Sequence, residues 1–335
     1  MPRRSAVVLA VVTGSLALPT IQSLGTGTAN VRWRPLVHVA GVVDVAGPRA
    51  DGRFVVSSHQ GLFLLRRTGA VTTFARGTGG YAGVVGEPYI AVARQRRVPR
   101  AGCSFRRDDV YALDPSAQPG IVLIDRSGKA RRFVDLPAGA FPSTIAFDTV
   151  GRFGYRLLVT AVVNARTTLY AVDCRGRTRV LVQGAPKVEG GAVVAPSAFG
   201  RFGGQLVAAD EVSGRVYAFS TAGRVRSVVR PGVPRGGDIG VENVGFVPAS
   251  FTRRGAAYLA DLGAPGSPTA GSDSVLSLSG RVLVRAGVRP GDLIVATEGR
   301  GVTMSVRCGR RCVVRRVGRA LDATHAEGHI AFSPG

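Results

Sequence analysis

Leu169-Tyr-Ala-Val, followed by Gly176 and then by Val180-Leu-Val, is the stretch of this chain that decides its fold. Apolar residues alternate on both sides of a glycine that can adopt a positive φ angle, which is the pattern of a β-hairpin. The same phrase occurs six times, around Gly69, Gly128, Gly176, Gly223, Gly280 and Gly309. Six similar hairpins in series predict one small sheet that is repeated around an axis.

A shorter apolar segment lies between successive hairpins and supplies a candidate innermost strand. The six candidates are Val42-Val-Asp-Val, Tyr89-Ile-Ala-Val, Thr144-Ile-Ala-Phe, Ala192-Val-Val, Val244-Gly-Phe-Val and His329-Ile-Ala-Phe. With one further strand in most copies, each unit has four antiparallel strands. No segment has helical periodicity, and the sequence therefore predicts an all-β fold, a six-bladed β-propeller with four-stranded antiparallel blades. A β-sandwich is the competing architecture, but it does not require six similar units in series.

The spacing of the turn glycines predicts how the ring closes. Only 29 residues separate Gly280 from Gly309, which is too short for a whole blade. We therefore expect a chain terminus to supply the missing strand, since an open ring would leave unpaired strand edges. The His329-Ile-Ala-Phe segment could complete this unit, or it could join the first blade while the N-terminal segment closes the ring.

Residues 1–29 have the pattern of a cleavable export signal. Arg3 and Arg4 precede an apolar stretch, and small residues follow it before Asn30. Residues 30–335 are then the propeller domain. We expect a secreted or cell-surface protein, a monomer, with no transmembrane segment, because no later stretch is long and apolar enough to span a bilayer.

The chain is strongly basic, with 44 lysines and arginines against 21 acidic residues and a net charge of +23. Such a field attracts anionic polymers. For an exported protein, a protein partner or an anionic cell-envelope polymer fits better than nucleic acid, because aromatic residues that could stack on bases are scarce among the basic ones. Six arginines crowd one loop between Arg94 and Arg107.

Four cysteines in an exported chain favour two disulfides. Cys308 and Cys312 flank the turn of the sixth hairpin, where a bridge would clamp two adjacent strands. Cys103 and Cys174 lie in the second and third repeats, so a bridge between them would join neighbouring units. A zinc site is the alternative, but the spacing offers only one close pair.

Glutamates recur at the start of the predicted innermost strands. Glu87, Glu189 and Glu327 have the same offset, and Glu242, followed by Asn243, nearly does. Equivalent offsets in a radial repeat lie at equivalent radii, so these side chains should meet at one mouth of the central channel. Crowded carboxylates need a divalent cation, an arginine or raised pKa values. We predict a cation site of the calcium type as one possible cofactor site, with arginine pairing or backbone hydrogen bonds as the alternative.

The segment His325-Ala-Glu327-Gly-His329 is a second candidate metal site. Alternate residues of a strand share a face, so both imidazoles and the carboxylate could bind one transition metal. The alternative is an ordinary packing role at the seam of the ring. The catalytic residues, if any, are not identified by the sequence, which has neither a Gly-x-Ser-x-Gly nucleophile elbow nor a phosphate or dinucleotide loop and so disfavours serine-hydrolase and nucleotide chemistry.

The stretch Val188-Glu189-Gly-Gly, with Gln205-Leu-Val-Ala-Ala-Asp-Glu-Val-Ser-Gly-Arg-Val-Tyr-Ala-Phe after it, resembles a blade of the gluconolactonase and regucalcin-like six-bladed propellers. That resemblance implies that Glu189 is a ligand of a divalent metal. The repeat rhythm is also similar to binding propellers of the NHL type, which are not enzymes.

Two functions therefore follow from the sequence. The first is a secreted β-propeller scaffold that binds a protein or an anionic envelope ligand across one face. The alternative is a divalent-metal-dependent hydrolase of a small lactone or ester, with a carboxylate-lined central site.

Overall fold

The structure, a computed structural model, describes residues 31–84, 86–267, 269–320 and 324–335. Most of its regular structure is β-strand, which confirms the predicted all-β fold. The first eleven strands are β1 (Arg34–His38), β2 (Val42–Ala46), β3 (Phe54–Ser58), β4 (Gly61–Leu65), β5 (Val71–Phe74), β6 (Ile90–Val92), β7 (Arg96–Val98), β8 (Cys103–Phe105), β9 (Val110–Asp114), β10 (Gly120–Ile124) and β11 (Ala130–Asp135).

The remaining strands are β12 (Phe141–Phe147), β13 (Leu157–Val163), β14 (Arg166–Val172), β15 (Thr178–Ala185), β16 (Glu189–Val194), β17 (Leu206–Asp210), β18 (Arg215–Phe219), β19 (Val225–Val229), β20 (Val241–Phe246), β21 (Ala256–Asp261), β22 (Ser274–Ser279), β23 (Leu293–Thr297), β24 (Thr303–Cys308), β25 (Cys312–Gly318) and β26 (Ala326–Ser333). Three short helical segments are described, the α-helix α1 (Gly280–Arg285) and two 3-10 turns, Pro99–Ala101 and Gly200–Phe202.

Four sheets have the predicted four antiparallel strands. Sheet 1 has the order β2-β3-β4-β5, sheet 2 the order β6-β9-β10-β11, sheet 3 the order β12-β13-β14-β15, and sheet 4 the order β16-β17-β18-β19. Each of them begins with a strand that was predicted to be innermost. Strands β7 and β8 form a separate hairpin that leaves sheet 2 between β6 and β9.

The fifth sheet, called the large sheet here, has eight strands in the order β1-β22-β21-β26-β20-β23-β24-β25. It contains two antiparallel groups of four, β1-β22-β21-β26 and β20-β23-β24-β25. A single parallel pair, Val244 and His329, joins them. The first group combines strands from both ends of the described chain, since β1 lies at its outer edge and β26 adjoins the second group.

The fifth predicted hairpin is wrong. Gly280 is not a turn residue but begins α1. Leu283 is fully buried with Leu276 and Leu278 in one apolar cluster, so the second apolar run of the phrase packs as a helix against the core. The outer neighbour of β22 is β1, which takes the place of the missing second strand.

Apolar side chains fill the spaces between successive sheets in a propeller-like arrangement. One cluster, which includes Val55 and Ile90, lies between sheets 1 and 2. Another, which includes Phe54 and Val275, packs the large sheet against sheet 1. The six strands called inner strands here, β2, β6, β12, β16, β20 and β26, contact one another in that order, and β26 contacts β2. All six line one cavity of about 600 Å³.

The four cysteines form two disulfides, Cys103–Cys174 and Cys308–Cys312, which confirms the expectation of two disulfides. The first ties the β7–β8 hairpin to the turn after β14, and the second joins β24 to β25. Two disulfides are typical of proteins in an oxidising environment. The expected export signal lies outside the described residues. Within the described ranges there is no helix of the length and apolar character needed to cross a membrane.

Candidate functional site

All six glutamates of the chain meet at one end of the channel. Four of them belong to the starts of inner strands, and two follow the second strand of a sheet at Glu211 and Glu298. Antiparallel pairing brings these two sets together, because the start of one strand lies beside the end of its neighbour. Glu189 pairs with Ala209 in this way, and the peptide N–H of Glu298 donates to the carbonyl of Gly240 at 2.8 Å.

The hydroxyl of Tyr89 lies at the centre of three carboxyl groups. Its oxygen is 2.8 Å from Glu87 Oε2, 3.0 Å from Glu242 Oε1 and 2.7 Å from Glu327 Oε2. A phenol hydroxyl has one proton to donate. Tyr89 can therefore donate a hydrogen bond to only one of the three carboxyl groups. Each of the other two contacts is a hydrogen bond only if its carboxyl group is neutral and donates its own proton to the Tyr89 oxygen.

The pKa values of these carboxyl groups agree with that proton count. Burial, and then the charge of Glu189, raise the pKa of Glu87 to about 7. Burial, and then the mutual repulsion of the cluster, also raise the pKa of Glu242 and of Glu327 well above the usual range for glutamate. The site thus holds neutral carboxyl groups at a pH where surface glutamates are ionised.

His325 joins two glutamates on the inner side of the cluster. Its Nε2 lies 2.9 Å from Glu298 Oε1 and 3.2 Å from Glu327 Oε1. Burial opposes the charge on the ring, but the hydrogen bonds to both carboxylates outweigh it and raise the pKa of His325 to about 10. The three side chains are buried, and one ligand atom from each lies within 4.8 Å of the others. These atoms are close enough to hold one metal ion.

Lys187 forms the outer, more exposed edge of the site. Its Nζ pairs with Glu189 and lies 3.7 Å from Glu211 Oε1. Burial raises the pKa of Glu211 to about 8, and the nearby Glu298 adds to the effect. Lys187 is one of only two lysines in a chain with 42 arginines. The ammonium group of Lys187 is smaller than a guanidinium, so it leaves more of the entrance open than an arginine would.

Apart from Glu189 Oε2, which contacts the Lys187 ammonium, two buried oxygens of the site have no hydrogen-bond donor among the described residues. They are Glu242 Oε2 and Asn243 Oδ1. Glu242 reaches its position across Gly190, where a Cβ atom would collide with the Glu242 carboxylate. The amide of Asn243 donates to the carbonyl of Gly328 at 3.0 Å, which leaves its oxygen free. Buried acceptors without donors are costly unless something else, such as a cation, contacts them.

The structure does not bring His329 to this cluster. Its Nδ1 lies 2.8 Å from Asp44 Oδ2, and its Nε2 lies 2.9 Å from the carbonyl oxygen of Ile145. The register of β26 against β21 shifts between Glu327 and Ala331, so the simple alternation expected from the sequence is interrupted. His325 and Glu327 therefore meet at the site, whereas the His329 ring spans the channel beside the 600 Å³ cavity.

The sequence analysis missed Glu211, Glu298, Tyr89 and Lys187. A signal for the two glutamates was present. Two second strands have similar sequences, and a glutamate follows each of them: Leu206-Val-Ala-Ala-Asp-Glu and Leu293-Ile-Val-Ala-Thr-Glu. Composition carried another signal, because the chain uses aspartate for its other fifteen acidic residues and glutamate only here.

No protein-family model matches this chain, and no curated protein sequence matches it. Among solved structures, it is similar to a gluconolactonase from Xanthomonas campestris, with 15% identity over 69% of each chain and a TM-score of 0.40. It is also similar to virginiamycin B lyase from Staphylococcus aureus, with 10% identity over 86% of this chain and 88% of that chain and a TM-score of 0.45. A protein of unknown function from Bacteroides caccae shares 14% identity over 83% of this chain and 72% of that chain, with a TM-score of 0.42.

Proposed function

We propose that the channel entrance binds a divalent cation and that the protein uses it as a metal-dependent hydrolase of a small lactone or related ester. The observation that carries the proposal is the buried, donorless Glu242 Oε2 within a cluster that gathers every glutamate of the chain. Glu298, His325 and Glu327 are the inner ligands. Glu87 and Glu242, which Tyr89 links to Glu327, supply further oxygens.

The donor set fits a cation in two ways. Carboxylate oxygens suit calcium or magnesium, and the imidazole of His325 adds a ligand that suits manganese or zinc. Glu189 and Asn243 lie next to this set and can complete it, Glu189 after release from Lys187. His329 has no place in it, because its ring is held by Asp44.

The residues around the proposed cation suit hydrolysis near neutral pH. A bound divalent cation supplies Lewis-acid activation of a carbonyl. Glu211, which is not among the proposed ligands, has a pKa of about 8 in the metal-free protein, so its carboxyl group can both accept and donate a proton near neutral pH. Lys187 stands at the rim, where its ammonium can orient the negative end of a substrate.

Metal analysis and turnover together test this function. We expect bound metal after dialysis of the purified protein, and hydrolysis of at least one member of a lactone and ester panel that a chelator abolishes. Glu327→Gln should lose both metal and turnover. Asp51→Asn, which removes a carboxylate from the exposed turn between β2 and β3, should lose neither. Retention of metal by Glu327→Gln would contradict the ligand assignment, and chelator-insensitive turnover would contradict the mechanism.

We also propose that the fold is a closed six-bladed propeller over residues 30–335, secreted after removal of residues 1–29. The two antiparallel groups of the large sheet count as two blades, which gives six with sheets 1–4. The mutual contacts of the six inner strands support this count.

A second candidate function is a scaffold that binds a protein or an anionic envelope polymer across one face. The exposed arginines of the β7–β8 region favour it. Arg94, Arg96, Arg97, Arg100, Arg106 and Arg107 are all exposed. Retention of the protein on an anionic polymer at low salt tests this function, and absence of retention would contradict it.

A further inference from the structure

A second cavity, of about 400 Å³, lies beside the β7–β8 hairpin and away from the channel. Its walls come from the 3-10 turn Pro99–Ala101, the loop 151–156, strand β15 and the turn at Thr221. Four arginines line it: Arg100, Arg152, Arg156 and Arg179. No acidic side chain is among its described lining residues.

The charge of this pocket is not compensated by ion pairs. In the described part of the chain, arginine–carboxylate pairs involve Arg49, Arg53, Arg132 and Arg307, and none involves an arginine of the pocket. Four guanidinium groups around one concave space repel one another. An anion in this space would relieve that repulsion, and the described residues supply no carboxylate that does so.

Hydrogen bonds to the protein backbone also fix the loop that carries two of the pocket arginines. The buried Asp148 accepts hydrogen bonds from the peptide N–H groups of Val150, Gly151, Phe153 and Tyr155, at 2.7 to 3.0 Å, and this fixes the loop that carries Arg152 and Arg156.

Two further contacts position individual arginines. The aliphatic stem of Arg152 packs on Gly204, where a Cβ atom would collide with it. The disulfide Cys103–Cys174 ties the hairpin that carries Arg100 to the turn just before β15, the strand of Arg179. The guanidinium of Arg96 also lies 5.8 Å from the centre of the Tyr155 ring, which joins the hairpin to the loop. The four arginines thus come from three segments that are linked to one another.

We propose that this pocket binds the phosphate groups of a polyanionic polymer. Guanidinium groups bind phosphate through two parallel N–H···O bonds, and several such groups in a concave site hold more than one phosphate at once. The one aromatic residue of the lining, Phe153, is buried, so the pocket lacks a platform on which nucleic acid bases could stack. The inference deepens the second proposed function, on which it rests, and gives the anionic partner a location.

Calorimetry with inorganic tripolyphosphate, and retention on immobilised long-chain polyphosphate, test the site. The variant is Arg152→Gln with Arg179→Gln. Its matched control is Arg281→Gln with Arg285→Gln, which removes two equally exposed positive charges from α1. We expect the pocket variant to bind tripolyphosphate at least tenfold more weakly than the wild type, and the control variant to change by less than twofold. The logarithm of the affinity should also fall less steeply with the logarithm of salt concentration in the pocket variant.

The possible failures are distinguishable. Equal weakening in both variants would show that net charge alone acts, and would overturn the pocket but leave the second proposed function. Absence of wild-type retention on polyphosphate would overturn both. Tighter binding of an oligothymidylate than of polyphosphate of equal charge, or binding only to phosphatidylglycerol vesicles, would overturn the choice of a phosphate polymer. Circular dichroism spectra that match the wild type in both variants are required for the comparison.

Discussion

The metal-free protein should lose stability as the pH rises from 5 to 8.5, because the carboxyl groups of the cluster hold protons in the folded state that they lose in the unfolded state. Glu87 has its pKa raised from the usual 4.5 to about 7 by burial and by Glu189. Between these values the native state binds more protons than the unfolded state, so the free energy of unfolding falls with increasing pH. Glu211, with a pKa of about 8, acts in the same direction. So does His325, whose stabilising charge is lost between its ordinary pKa of 6.5 and its pKa of about 10 in the fold.

The size of the effect follows from Glu87. A shift from 4.5 to about 7, at about 1.4 kcal/mol for each pKa unit, corresponds to roughly 3 kcal/mol of stability that is present at pH 4.5 and lost above pH 7. Glu87→Gln keeps the shape of the side chain and removes its titration. We therefore expect this variant to recover roughly 3 kcal/mol of the pH-dependent loss.

Urea unfolding followed by circular dichroism, in buffers that contain a chelator and at several pH values between 5 and 8.5, measures this loss. Asp51→Asn is the control, because the hydrogen bonds and charge of Arg53 outweigh the effect of burial on Asp51 and lower its pKa. Asp51 is therefore ionised in both states throughout this range, so its replacement should shift the stability curve without changing its slope. A wild-type curve that is flat or rises with pH would refute the reasoning, as would a Glu87→Gln curve with the wild-type slope.

Three further predictions concern the cation, the channel and the disulfides. Cation binding should release about two to three protons, because neutral carboxyl groups must ionise and the imidazolium of His325 must lose its proton before they become ligands. Calorimetry in two buffers with different ionisation enthalpies counts these protons, and no proton release would contradict the assignment. His329→Ala should lower the free energy of unfolding by about 3 kcal/mol, since it leaves a fully buried aspartate without its charged partner, and an unchanged urea midpoint would argue against that pairing. Replacing Cys103 and Cys174 by serine should cost about 4 kcal/mol and replacing Cys308 and Cys312 about 2 kcal/mol, because the first bridge closes a separation of 71 residues and the second one of 4. Equal losses of melting temperature in the two pairs would contradict that difference.

Most of the strand framework could be predicted from the sequence, because period-two apolarity and turn glycines act locally. The error at Gly280 has a different cause. Val282-Leu-Val has the composition of a strand, but β1, from more than two hundred residues away, already occupies the pairing edge of β22. The segment therefore buries Leu283 by forming a helix. The apolar pattern of the segment after Gly280 cannot reveal that a strand from a distant part of the chain pairs with β22 in its place.

The site could be predicted only in part, for a similar reason. The common offset of Glu87, Glu189 and Glu327 placed them at one end of the channel, which the contacts of Tyr89 and Lys187 agree with. The offset says nothing about second strands, which return to the same end and carry their own glutamates. Nor does strict alternation reveal a register shift within β26, which turns His329 away from the glutamates and towards Asp44.

The large sheet has a consequence for how the chain is made. Its group β1-β22-β21-β26 needs a strand from residues 34–38 and another from residues 326–333. During translation, β20 and β21 are therefore synthesised long before the strand that lies between them. Until β26 has been made, the edge of β21 that pairs with it is a bare backbone edge of the kind that recruits other chains. Chains truncated before Ala326 should accordingly aggregate and be sensitive to proteases, and the large sheet can be completed only after residues 326–333 have been synthesised.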